Sequence, residues 1–281
     1  MWSHVVVGVH ETEPKTLSET AESIAVEAAA LVGEVWRGML RGRAVEVGTK
    51  STDTDVVTET DHASERLVRE LLAAKRPGER IIGEEGGGTV AEPGEVTWVV
   101  DPIDGTVNFL YGFPWFAVSI GAQIDGVSVA GAVVEPASGR RWTAARGLGA
   151  WLDGEPLRIG AGPERLDLTL VSTGFAYRRD RRTRQAGFAA DLLGRVRDIR
   201  RTGAASLDLC AVAAGWTDAY FEHGLNTWDW AAGALVAAEA GAIVRVPGED
   251  TELGEDATFA AAPSIASPLR AALLDCGAAT V

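Results

Sequence analysis

The stretch Val96-Thr-Trp-Val-Val-Asp-Pro-Ile-Asp-Gly-Thr106 constrains this chain more than any other. Val96 to Val100 is β-branched and aromatic, which predicts a buried strand. The run stops at Asp101-Pro102, where the proline fixes its own φ, and Asp104-Gly105 is a strong turn dipeptide. Two carboxylates three positions apart are thus placed on a stiff loop at the carboxyl end of a strand. Gly105 and Thr106 follow and leave backbone N–H groups at the turn. Such a loop can hold cations with its acids and an anion with its amides. Taken alone it also fits an Asp-capped turn with no further role, so the weight falls on the other acids.

Three more acidic segments stand at the ends of predicted elements. Asp61 precedes an amphipathic helix that carries Leu67, Val68, Leu71 and Leu72 and stops near Pro77-Gly78. Glu84 follows a short strand, Ile81-Ile82-Gly83, and runs with Glu85 into the glycines 86–88, which read as a mobile loop. Asp229 lies in the first turn of a helix that begins at Thr227 or Trp228. The plain alternatives are an N-cap for Asp61 and a complement to the helix dipole for Asp229.

The remainder predicts a scaffold in two parts, 1–160 and 161–281, divided at the Gly- and Pro-bearing stretch 160–163. A helix over about 16–37 opens the first part, and the polar stretch 45–60, which contains Lys50, reads as loop or a short hairpin. Strands follow at 116–123 and 127–134, split by the Asp125-Gly126 turn, and at 141–145 and 149–152. The second part alternates: strand 168–172, helices 182–196 and 204–214, strand 219–222, helix 228–240, and strands 243–246 and 258–261. A last helix is expected to start with Ser267 as N-cap and Pro268 at its first position.

Composition excludes some functions. With 46% hydrophobic residues over 281 positions, the chain can build a sizeable core. A net charge of −14 disfavours wholesale electrostatic binding to nucleic acid or an anionic membrane. Residues 165–201 run the other way, with ten arginines against Asp167, Asp180, Asp191 and Asp198; a solvated helical face accounts for such a run. Cys210 lies in an apolar helical run, which predicts a buried free thiol. No window approaches the roughly 18 apolar residues of a membrane span. Val5-Val6-Val7 is too short for the core of a signal peptide, so the expected location is the cytoplasm. Nucleotide-loop, dinucleotide, zinc-protease and nucleophile-elbow motifs are absent.

Asp101-Pro-Ile-Asp-Gly-Thr106, preceded by Gly83-Glu-Glu85 and followed by Trp228-Asp-Trp-Ala-Ala-Gly233, resembles the paired signatures of the inositol monophosphatase family. These are magnesium-dependent, lithium-sensitive phosphatases. The likeness spans roughly residues 15–275, including the spacings from Lys50 to Asp61 and from Gly203 through Glu222 to Asp229. It implies an α+β fold, a layered αβαβα sandwich, and a homodimer. It also implies two or three Mg²⁺ ions held by Glu84, Asp101, Asp104, Asp229 and the Ile103 carbonyl. Glu84, Thr106 and Asp61 would be the catalytic group beside the attacking water. Asp104, Gly105, Thr106, Gly203, Ala204, Ala205, Glu222 and Asp229 would bind substrate, with Arg200 a weaker candidate for supporting the site or the dimer. Ala204 departs from relatives that carry a hydroxyl residue there.

Elementary electrostatics agrees with the implied metals. Each like-charge pair at ~4 Å costs about 4 kcal/mol at an effective dielectric near 20, so a phosphate dianion needs cations among these carboxylates. An all-oxygen donor set suits Mg²⁺ rather than Zn²⁺. The expected activity is hydrolysis of myo-inositol 1-phosphate by metal-activated water. Histidinol phosphate, fructose 1,6-bisphosphate and a 3′-phosphonucleotide remain open as substrates. A reading of another class is an RNA- or transcription-associated scaffold that would use Arg178, Arg179, Arg181, Arg182 and Arg184.

Overall fold

The computed structural model describes residues 13–50 and 56–281. The apolar run at Val5–Val7 and the middle of the 45–60 segment lie outside the described residues.

In chain order the helices are α1 (Pro14–Met39), α2 (Glu59–Lys75), α3 (Thr106–Tyr111), α4 (Arg179–Leu193), α5 (Ala205–Ala213), α6 (Thr227–Glu239) and α7 (Pro263–Asp275). The strands of the first half are β1 (Val47–Thr49), β2 (Val56–Thr58), β3 (Arg80–Gly83), β4 (Gly87–Gly88), β5 (Val96–Asp104), β6 (Ala117–Ile124), β7 (Val127–Val134), β8 (Arg141–Ala145), β9 (Gly149–Leu152) and β10 (Glu155–Leu157). Those of the second half are β11 (Leu170–Thr173), β12 (Asp198–Arg200), β13 (Ala219–His223), β14 (Ile243–Arg245) and β15 (Ala257–Ala261). Of the polar stretch 45–60, β1 and β2 pair antiparallel, Val47 opposite Thr58.

An eight-stranded sheet runs in the order β10-β9-β8-β7-β6-β5-β3-β4 and is antiparallel except where β3 meets β5. α1 and α2 cover one face, with Leu17, Ile24, Val32, Val68 and Leu72 buried against Trp98, Phe116 and Ile120. α5 and α6 lie on the other face and also meet the second sheet, ordered β12-β11-β13-β15-β14. α4 and α7 close the far side through Phe188, Leu192, Ile265, Leu269 and Leu273. The result is an α+β sandwich with layers αβαβα.

Close approach of α6 to the large sheet needs glycine. A Cβ on Gly121 would lie 2.9 Å from the Ala231 Cβ, and one on Gly131 would lie 2.9 Å from the Ala232 Cα. These contacts let the first turn of α6, with Asp229, come down beside the end of β5.

Several expected boundaries move, each for a local reason. α2 starts two residues before Asp61: Thr58 is the N-cap, and Asp61 is the third helical residue, completing a capping box by accepting the Thr58 N–H. α7 starts at Pro263, and Ser267-Pro268 lies inside it. Pro263 is the favoured first-turn proline, while the bond lost at Pro268 is tolerated because Ile265, Leu269 and Leu273 are buried. The 168–172 strand is split into a 3₁₀ turn, Leu166–Leu168, and β11. α4 begins at Arg179 rather than Arg182. The glycine triplet is not left as a free loop, since Gly87-Gly88 pairs with Ile82-Gly83. Cys210 and Cys276 are buried free thiols.

Candidate active site

β5 is buried along its whole length, and its ladder with β6 is interrupted between Asp101 and Asp104. That irregularity, stiffened by Pro102, lets both acids face one cleft instead of alternating across the sheet. Asp101 Oδ1 accepts the Ile103 N–H at 3.0 Å. Gly105 then turns the chain with φ +88°, and a Cβ there would sit 3.2 Å from the carbonyl oxygens of Gly203 and Trp115. Only glycine suits both the angle and the space. The turn delivers Thr106, whose hydroxyl lies 3.0 Å from Asp61 Oδ1 and 3.0 Å from the Ile103 oxygen.

The other acids arrive from separate elements. Glu84 follows β3, and its N–H continues the ladder to the Val100 oxygen at 3.1 Å. Asp229 comes from α6, where it accepts the Asn226 N–H at 2.6 Å. One ligand oxygen each of Asp101, Asp104 and Asp229 lies within 4.8 Å of the others. Asp104 also ties the two sheets' layers together by accepting the Ala205 N–H at 3.1 Å, the Ser206 N–H at 2.7 Å and the Ser206 hydroxyl at 2.5 Å.

These carboxyls resist ionisation. Burial raises Asp101 well above the carboxylate range, with the charges of Glu84, Asp104 and Asp229 adding to it. Asp229 is raised by burial and then by Asp104 and Glu84. Burial lifts Glu84 to about 7, although Lys50 opposes it, and lifts Asp104 to about 6 against its bonds to Ser206 and Ala205. Asp61 is also raised by burial. Burial disfavours the Lys50 ammonium as well, but Glu84 and Glu85 outweigh it and hold it above its ordinary range. A floor of buried, mutually repelling carboxylates with oxygen donors only fits hard divalent cations.

The cleft above this floor has a volume of about 480 Å³ and reaches both halves of the chain. Glu222 lines it, with Oε2 accepting the buried Tyr220 hydroxyl at 2.6 Å, and burial raises its carboxyl to about 7. Gly203 and Ala205 also line the cleft. Three candidates do not, the first being Asp61, which is fully buried and reaches the cleft only through the Thr106 hydroxyl. Ala204 is buried beneath Gly105 as part of the core, because its residue caps α5 from the inner side. Arg200 is on the exposed end of β12, held by Asp198 at 2.6 Å; its neighbour Arg201 lines the cleft instead, since side chains alternate along an extended segment.

The arginine run is largely engaged. Arg178 pairs with Asp180, Arg181 forks onto Asp256 at 2.6 and 2.9 Å, and Arg182 donates to the Ala176 and Tyr177 oxygens. His223 is buried in the cleft wall with Nε2 2.8 Å from the Leu253 oxygen.

Two residues of the cleft have no sequence motif of their own: Lys50 and Arg201 are single cations.

The profile of the inositol monophosphatase family matches residues 15–277. An inositol-1-monophosphatase from Mycobacterium leprae is 52% identical, over 94% of this chain and 96% of that protein. The solved structure of Mycobacterium tuberculosis SuhB superposes with a TM-score of 0.81 at 45% identity, covering 96% of this chain and 100% of the other. A Pseudomonas aeruginosa protein named Nus factor SuhB is 42% identical over 79% of this chain and 83% of its own length. With its layers, its converging acids and this likeness along nearly its full length, the chain belongs to the inositol monophosphatase family.

Proposed function

We propose that this chain hydrolyses the phosphate monoester of a small polyol, with myo-inositol 1-phosphate as its substrate. The observation that carries the reading is the meeting of Asp101, Asp104 and Asp229 from two distant segments at the floor of one cleft. Mg²⁺ ions held by Glu84, Asp101, Asp104, Asp229 and the Ile103 carbonyl would supply positive charge for the phosphate and acidify water there.

The chain's own groups orient the reaction. Thr106 donates its hydroxyl proton to Asp61 Oδ1, so its free lone pair accepts from the attacking water and points that oxygen at phosphorus. Thr58 holds Asp61 from the opposite side, which fixes the Thr106 rotamer. Gly105 and Thr106 line the floor and offer backbone N–H groups to the phosphate oxygens. Glu222 accepts from a ring hydroxyl, and Asp104, already committed to Ser206 and Ala205, sets the distance between phosphate and ring sites.

A panel assay of phosphate release decides the substrate. The highest kcat/KM is expected for myo-inositol 1-phosphate; a higher value for histidinol phosphate, fructose 1,6-bisphosphate or a 3′-phosphonucleotide overturns the choice. The Pseudomonas relative's name favours a second, transcription-linked role. Against it, three arginines of the basic run are already bound within the chain. Binding of RNA that weakens steeply with salt would support that role. We also propose a homodimer, which would cover apolar surface such as Tyr111 and Phe113, 87% and 51% exposed; light scattering at monomer mass would refute it.

A further inference from the structure

Glu65 is a buried carboxylate that touches neither cleft nor solvent, being 2% exposed and absent from the cleft wall. It lies one turn after Asp61 on α2, so the helix presents both acids on the same side. Asp61 reaches Thr106, whereas Glu65 reaches the backbone just beyond Glu84. Its Oε2 accepts the Glu85 N–H at 2.8 Å and its Oε1 accepts the Gly86 N–H at 2.9 Å. Arg69, one further turn along α2, donates from Nε to Glu65 Oε1 at 2.7 Å and from Nη2 to the Gly87 oxygen at 2.6 Å.

The glycines around Glu84 make room for this carboxylate. A Cβ on Gly83 would fall 2.3 Å from Glu65 Oε1, and one on Gly86 would fall 2.6 Å from the same atom. Glu84 is therefore held on both sides: upstream by the strand bond to Val100, downstream by two charge-assisted bonds to Glu65.

We infer that Glu65 is a positioning residue, a clamp that fixes the Glu84 carboxylate against Asp101 and so sets the affinity of the cleft for divalent cations. The inference rests on the proposed cation site. Its physical basis is that a ligand on a turn free to shift costs ordering entropy at each binding event, which a preformed clamp removes. α2 thereby fixes both the hydroxyl that orients water, through Asp61, and the acid that faces it, through Glu65.

The test is calorimetric titration of the full-length chain with Mn²⁺ alone, beside thermal unfolding and steady-state kinetics at saturating metal. Glu65→Gln keeps the volume but replaces one acceptor with a donor. It is expected to weaken Mn²⁺ binding by about tenfold while leaving kcat at saturating metal within about threefold. Gly86→Ala retains the carboxylate yet displaces it, and serves equally if Glu65→Gln does not fold; the same weakening is expected. Glu59→Gln, which breaks only an exposed pair with Arg66 on the same helix, is expected to change nothing. A Glu65→Gln or Gly86→Ala protein that melts earlier but binds Mn²⁺ as wild type does, within about twofold, overturns the clamp and leaves the cation site standing. Wild-type protein with no Mn²⁺ binding overturns the cation site, and the clamp with it.

Discussion

Lys50 Nζ sits 2.7 Å from Glu84 Oε1 and also contacts Glu85, which makes its ammonium the counter-charge at one side of a floor otherwise made of acids. Lys50→Met removes that counter-charge from Glu84. The metal-free variant is expected to lose about 1 kcal/mol, a value kept small because the pair is partly exposed. The gain in Tm on adding Mg²⁺ is expected to be larger than in wild type, and differential scanning fluorimetry reads both. A smaller gain would mean that Lys50 assists cation binding rather than offsetting repulsion.

Acidity has a defined sign here. Asp101, Asp229, Asp104 and Glu84 all have folded pKa values above their unfolded ones, so their contribution is fully present below about pH 4 and is lost as pH rises through the folded values, about 6 for Asp104 and about 7 for Glu84. Metal-free protein is thus expected to lose stability from pH 5 to pH 8. The Tm increment from saturating Mg²⁺ should grow over the same window, and an increment that shrinks with rising pH would contradict the assignment.

Specificity should separate from chemistry at Tyr220. Its buried hydroxyl is the donor that orients Glu222, and Tyr220→Phe removes it with little change in volume. KM for myo-inositol 1-phosphate is expected to rise by about tenfold, from the loss of one hydrogen bond to a charged group. Turnover of 4-nitrophenyl phosphate, which has no ring hydroxyl, should hardly change. Equal losses on both substrates would remove Glu222 from the ring site.

Asp101 has no such selectivity. Asp101→Asn removes one negative charge from the floor while keeping the acceptor for the Ile103 N–H. Turnover is expected to fall by orders of magnitude on every substrate, with an unchanged circular dichroism spectrum. Retained activity would count against the cation site.

Much of the scaffold could be read from residue order because its periodicities are local. The apolar runs of β6 and β7, the Asp125-Gly126 turn with both residues at positive φ, and the helical face Leu17, Ile24 and Val32 depend on near neighbours. The expected loop at Asp101–Asp104 is instead the irregular end of β5, which continues to Asp104 and turns only at Gly105. The errors come from competition over longer range. Burial of Ile265 and Leu269 carries α7 through Pro268, and the Thr58 cap starts α2 before Asp61. The choice of Arg200 over Arg201 turns on the alternation at the end of β12, a strand missed altogether because it is three residues long. Glu65 was invisible because its partners are backbone amides twenty positions away.

The most direct measurement is diffraction from a crystal soaked with Mn²⁺ and myo-inositol 1-phosphate, using the anomalous signal to locate the ions. Anomalous peaks are expected between Glu84, Asp101, Asp104 and Asp229, with the phosphate bridging them and the ring toward Glu222. A floor without peaks in a crystal that binds Mn²⁺ elsewhere, or an ester seated away from Gly105 and Thr106, would contradict the central claim.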